Sequence, residues 1–291
     1  MAKITIDGHT LAYEVIGSGD QTIAITCGGR FSKDAPGLRE LAEKLAERGY
    51  KVLIWDRFNC GESDFRFDSD SESILNTDAL ASLLRALDFG PTLLMGGSAG
   101  ARISIMMAVR YPELVAGVFA MTISGGELGL GVLAVHYHFE SAFAAVTGGM
   151  EAVANAPVWT EQIARNPGNR DRLLSQDRDQ FIATMKQWAA AFFPKSECPI
   201  PGLTPEELAT IKVPVVVIRS DDSDLHHTRE TSETVARMIP GAVLKEPIWP
   251  EGSWNRAMGQ KGGIFELWPE LAPHIAELAE RLPARAHAPA K

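Results

Sequence analysis

The chain has 291 residues, 45% hydrophobic and 22% charged, which is the composition of a folded globular protein and not of a disordered one. Its 28 basic and 37 acidic residues leave a net charge of −9, so nucleic acid and anionic membranes are not expected as partners. The longest wholly apolar run covers only residues 188–193, too short to span a bilayer. The N-terminus lacks the apolar core of a signal peptide. Cys27, Cys60 and Cys198 are too scattered to form a metal set or a disulfide framework. A cytoplasmic protein without metal or cofactor is expected. Its partner is then a small-molecule substrate, and a homodimer is compatible with the composition.

Along the chain, Ile4 and Ile6 lead into Asp7-Gly8, and Leu11, Tyr13 and Val15 alternate beyond it, a β-hairpin pattern. Residues 22–26 read as a buried strand ending in Cys27-Gly28-Gly29-Arg30. A helix follows with Leu38, Leu41, Leu45 and Ala46 on one stripe. Residues 51–55 form the next strand, closed by Asp56-Arg57 and Gly61-Glu62-Ser63. Ile74, Leu75, Leu80, Leu83, Leu84 and Leu87 restore helical spacing. Residues 92–95 are a short strand, Gly96 to Gly100 open a helix that runs to Tyr111, and residues 114–123 are a further strand. Strands alternating with helices at this spacing imply an α/β fold with a mostly parallel sheet of about eight strands and helices on both faces.

The character changes at residues 127–207, which hold helical pieces rich in Ala, Phe and Trp and no convincing strand. The alternation resumes with a strand over 213–218, a helix over 229–238, a strand over 242–248 and a helix over 265–282. Residues 1–126 and 208–291 thus form the core, residues 127–207 a helical insertion, and residues 283–291 a flexible tail.

Gly96-Gly97-Ser98-Ala99-Gly100 fits G-x-S-x-G between a strand and a helix. A serine on so sharp a turn needs small neighbours, and the helix that starts there offers free N–H groups to a developing oxyanion. With the hairpin, the Cys27-Gly28-Gly29 loop, Asp56-Arg57 and Gly61-Glu62-Ser63, Tyr111-Pro112-Glu113 and the acidic loop after residue 218, the chain resembles the α/β-hydrolase fold superfamily, and the insertion falls where that family carries its lid.

The resemblance implies Ser98 as nucleophile, with the N–H groups of Ala99 and of Gly29 or Arg30 as oxyanion donors. Arg30 reads first as a surface arginine and second as a residue facing a substrate carboxylate. In Ser220-Asp221-Asp222-Ser223-Asp224-Leu225, the family's acid position falls best on Asp224, with Asp222 second; Glu127, just past the preceding strand, is the third candidate. The family's histidine follows the last strand, but here residues 248–255 contain none. Among the seven histidines His9, His274 and His287 lie away from the expected site. His136 and His138 read as surface or packing residues, with a pocket wall as the alternative. The base therefore falls on His227, with His226 next, although Thr228 could make both merely the start of a helix.

Trp249, Trp254, Trp159, Trp188, Phe192 and Phe193 suggest an aromatic-walled cleft or, equally, packed core. Gly29, Arg30, Ala99 and Trp254 form the expected substrate-binding set. Two functions are in contention. One is a serine hydrolase of an ester, a lactone or a carbon–carbon bond beside a ketone. The other is a ligand-binding scaffold with little hydrolysis, motivated by the missing histidine. A nucleotide-binding domain fails, because the 27–34 loop has no G-x-G-x-x-G and no P-loop is present.

Overall fold

The computed structural model describes residues 2–258 and 263–283. β1 (Ala2–Ile6) and β2 (His9–Ile16) form the hairpin through Asp7 and Gly8, both at positive φ. Next come β3 (Thr22–Thr26), α1 (Leu38–Ala46), β4 (Lys51–Trp55), α2 (Glu72–Ala86), β5 (Thr92–Gly97), α3 (Ala99–Arg110) and β6 (Val115–Met121). Between β6 and β7 (Val215–Ile218) the chain is helical: α4 (Glu127–Ala134), α5 (Glu140–Ala154), α6 (Pro157–Arg165), α7 (Gly168–Leu174), α8 (Arg178–Ala190) and the short α9 (Pro205–Leu208). α10 (Arg229–Met238), β8 (Val243–Lys245), α11 (Ser253–Met258) and α12 (Ala272–Ala279) complete it.

The strands form one sheet in the order β1-β2-β4-β3-β5-β6-β7-β8. β1, β2 and β4 pair antiparallel, and every later neighbour is parallel. Alternation along β3 explains the two cores: Ile23 and Ile25 point to one, with α1 and α12, while Ala24 points to the other, with α2 and α3. Because both faces are covered, β3, β5 and β7 are buried along their whole length. The strand order reverses between β3 and β5, so their carboxyl ends flank a crevice, the usual place for a ligand in an open α/β sheet.

Several boundaries depart from expectation; the strand expected over 213–218, for one, begins only at Val215, after Pro214. The strand expected over 242–248 shortens to β8, because Pro247 has no N–H to give the ladder. The helix expected over 265–282 divides into a 3-10 stretch, Gly263–Leu271, and α12, because Pro269 inside it cannot continue an α-helix. The strand expected over 114–123 stops at Met121, where Thr122 turns to φ +44°. Of the expected tail, residues 284–291, with His287, lie outside the described residues. No helix among the described residues is long and apolar enough to cross a membrane.

Candidate active site

β5 delivers Ser98 to the carboxyl edge of the sheet at φ +55°, ψ −118°, a conformation that costs a serine on the order of 1–3 kcal/mol. The surroundings enforce it. A Cβ on Gly96 would overlap the Gly100 carbonyl group, and one on Gly100 would overlap the Thr26 carbonyl oxygen. The Ser98 N–H donates to the carbonyls of Thr122 (3.0 Å) and Met121 (3.3 Å), which ties the turn to the end of β6.

The loop after β3 lies against this turn so closely that a Cβ on Gly28 would stand 2.6 Å from Ser98 Cβ. Arg57, from the loop after β4, donates Nη2 to the carbonyls of Gly28 (3.2 Å) and Gly29. In a trans peptide the N–H points opposite to the C=O, so this clamp turns the N–H groups of Gly29 and Arg30 away from Arg57. Asp56 anchors the same region by accepting from the N–H groups of Lys33 (2.6 Å) and Glu62 (2.9 Å).

The loop between β7 and α10 brings the other polar groups. Asp224 Oδ1 accepts from the N–H groups of His226 (3.0 Å) and His227 (3.2 Å), and its Oδ2 lies 2.7 Å from His227 Nδ1. One tight turn thus holds carboxylate and imidazole together, both buried. His227 Nε2 is 2.8 Å from Ser98 Oγ. The loop sits this deep because glycines face it: the Gly125 N–H donates to the His226 carbonyl, and a Cβ on Gly129 would press on the Leu225 carbonyl at 2.6 Å. Thr228 caps α10 by accepting from the Thr231 N–H, so the helix start and the histidine's placement coexist.

The segment after β8 carries Trp254, whose ring meets the His227 ring edge-on at 4.8 Å between centroids. Asp221 fixes that segment by accepting from the N–H groups of Gly252 (3.1 Å) and Trp254 (3.2 Å). Burial pushes the Asp221 carboxyl up, but these bonds and those from Ser223 outweigh it and hold the group down to about 2.

Two cavities meet at Ser98. The larger, of about 420 Å³, is mostly apolar and is walled by Met121, Val132, His226, Trp254, Phe265 and Trp268. The smaller, of about 50 Å³, sets the charged groups of Arg30, Arg57, Glu72 and Arg102 among apolar side chains such as Ile103, Trp188 and Phe192. A π-helical turn between α4 and α5, Val135–Phe139, places Tyr137 against both and His138 against the smaller. Such turns concentrate at functional sites.

A model of the alpha/beta hydrolase fold family matches residues 31–176. The chain belongs to that family. The matched span includes Ser98 and ends before the Asp224–His227 loop. A 2-hydroxy-6-oxononadienedioate/2-hydroxy-6-oxononatrienedioate hydrolase of Escherichia coli K12 is 31% identical over 114 residues, 39% of this chain and 38% of that protein. The match therefore spans little more than a third of the length of such curated relatives. Among solved structures, an enol-lactonase from Burkholderia xenovorans aligns with TM-score 0.62 at 18% identity, covering 95% of this chain and 100% of the other. A meta-cleavage product hydrolase from Pseudomonas fluorescens aligns with TM-score 0.60 at 17% identity, covering 96% and 98%. At these identities the likeness is one of fold.

This α/β-hydrolase brings together Ser98, His227 and Asp224, and it leaves the alternates apart. Asp222 is exposed and lies beside Arg229 at 4.0 Å. Glu127 is exposed at the start of α4. His226 is half-buried, its ring 6.3 Å from that of His227, and it lines the larger cavity. Arg30 corrects the reading as a surface arginine. Its side chain is 9% exposed, ion-paired with Glu72 and stacked over the Trp159 ring at 4.8 Å, because the loop after β3 turns inward under α6. The aromatic residues divide as well: Trp254 walls the large cavity, Trp188 and Phe192 the small one, and Trp159 is core against Phe65. His138 is fully buried and His136 exposed beside Glu140.

Sequence reasoning missed Ser124, whose Oγ lies 3.2 Å from Ser98 Oγ, and the charged groups Glu72 and Arg102 of the small cavity. Arg102 stands four residues after Ser98, one turn along the same helix face, a spacing that could have flagged it.

Proposed function

We propose that the chain is a serine hydrolase that cleaves a bond at the carbonyl of a small, largely apolar or aromatic substrate: a carboxylic ester, a lactone or a carbon–carbon bond beside a ketone. The observation that carries this reading is the run of contacts from Ser98 Oγ to His227 Nε2 (2.8 Å) and from His227 Nδ1 to Asp224 Oδ2 (2.7 Å). Asp224, an acceptor on that side, holds the imidazole with its proton on Nδ1, which leaves Nε2 free to take the hydroxyl proton. Ser98 Oγ then attacks the carbonyl carbon. The N–H groups of Ala99, at the start of α3, and of Gly29, turned by Arg57, receive the developing oxyanion. His227 returns its proton to the leaving group, and a water activated in the same way releases the acyl group.

The names of the relatives, a hydrolase, a lactonase and a meta-cleavage product hydrolase, support hydrolysis as the reaction class. The alternative, a binding scaffold without turnover, draws its force from the absence of a histidine after β8. His227 Nε2, 2.8 Å from Ser98 Oγ, offers a base in place of that histidine and so favours the hydrolase reading.

A fluorophosphonate probe, with the adduct mapped by mass spectrometry, tests the reading. Label is expected on Ser98 alone, and on no residue in Ser98→Ala. With any ester the enzyme turns over, His227→Ala should lower kcat by at least ~10³-fold. A folded protein that takes no label, or full turnover by Ser98→Ala, would sink the proposal.

A further inference from the structure

The small cavity beside Ser98 has an unbalanced charge inventory. Three guanidinium groups, those of Arg30, Arg57 and Arg102, line it against one carboxylate, Glu72. Glu72 is already engaged by Arg30 and by Asn59 Nδ2 at 3.1 Å. Arg57 spends Nη2 on the carbonyls of Gly28 and Gly29. Arg102 is left with no carboxylate within ion-pair distance among the described residues. It is 4% exposed, has one long bond to Ser73 Oγ (3.3 Å) and lies over the Phe192 ring at 4.8 Å. Its Nε has no hydrogen-bond partner, and neither have Arg30 Nε and Nη2, Arg57 Nε or the two ring nitrogens of His138. Burial with so little compensation pulls the Arg102 guanidinium down to about 10. A buried cation in this condition is costly unless an anion completes it.

Size and position say what the anion is part of. A cavity of about 50 Å³ holds roughly three to five water-sized groups, enough for a carboxylate and at most one or two further carbons. Ser98, Gly29, Leu133 and Tyr137 line both cavities, so Ser98 stands at their junction. A carbonyl presented to Ser98 therefore has one substituent in the apolar space and the other in the cationic one.

We propose that the small cavity is a carboxylate subsite, in which Arg102, assisted by Arg30 and His138, binds an acid group that the substrate carries within a few bonds of the scissile carbonyl, with its apolar substituent in the larger cavity. The position of the reacting carbonyl rests on the serine-hydrolase reading, whereas binding of the acid does not. Arg102 is thus the specificity-determining residue, and neutral substrates of the same shape are discriminated against.

The Ser98→Ala variant, titrated by calorimetry with benzoylformate, benzoylpropionate and the primary amide of each, separates the two readings. At least one acid should bind ten-fold or more tightly than its amide, and Arg102→Met should bring acid and amide to parity. Arg102→Met should also melt no lower than its parent, because it removes an unpaired buried charge, and the acid should no longer raise its melting temperature. A cation held for structural reasons would give the opposite shift. Equal affinity of each acid and its amide, no binding by any probe up to about 10 mM, or an acid preference that survives Arg102→Met overturns the proposal. Fluorophosphonate labelling of wild-type protein reports on Ser98 in either case, so one reading can fail while the other stands.

Discussion

His138 lies fully buried with both ring nitrogens unbonded, its ring 5.7 Å from that of Trp188 and 5.3 Å from that of Phe192. Burial pulls it down to about 4, with Arg30 and Arg102 reinforcing and Glu72 opposing, and Tyr137 is the other titratable neighbour. It is therefore neutral in the folded protein at neutral pH. Between about pH 4 and pH 6.5 the unfolded chain binds a proton that the folded one refuses, so stability falls as pH drops through that window. The loss levels off below about pH 4, after on the order of 3 kcal/mol. Urea midpoints at both ends of the window check this: His138→Phe should flatten the slope relative to wild type, and an unchanged slope would place its origin elsewhere. Ser98 and the Asp224–His227 pair were legible at this scale because each is written in five or fewer consecutive residues. The small cavity was not, because Arg30 meets Glu72 across 42 positions and Arg102 meets Ser73 across 29.

At the scale of elements, the site is made by close approach of backbones. The turn from β5 to α3 passes between Thr26 and Gly96 with no room for a side chain at Gly100. Gly100→Ala should cost more than about 3 kcal/mol, since the atom it meets is a backbone oxygen of a central strand that cannot rotate aside. Chemical denaturation measures the loss, and a cost below about 1 kcal/mol would show that the turn can open. Legibility at this scale follows locality again. α10 runs over the expected residues because Thr228 caps it and its charged residues leave one face, Thr231, Ser232 and Val235, to be buried. The helix expected after residue 265 breaks because hydrophobic spacing continues through Pro269, which the backbone cannot follow.

Over the whole molecule, the inserted helices and the sheet share one apolar core: Trp159, Met185 and Trp188 belong to the same buried cluster as Leu94, Val118 and Val217. Residues 127–207 look like a separate unit in the sequence because their composition changes, but composition does not record which face each helix buries. Fluorescence of the tryptophans and far-UV circular dichroism should give coincident urea transitions, because the shared core couples insertion and sheet. An earlier fluorescence transition would mean that the insertion unfolds on its own.

The turn that carries both Asp224 and His227 has a consequence for how this enzyme can change. Where acid and base sit on two loops, the proton path depends on three separate pieces of chain keeping their distances. Here it depends on two, the β5 turn and the loop after β7. The segment after β8 supplies Trp254 to the cavity wall but no atom to that path. Lineages and engineers can thus vary Trp254 to reshape what the enzyme accepts while leaving in place every atom that moves the proton.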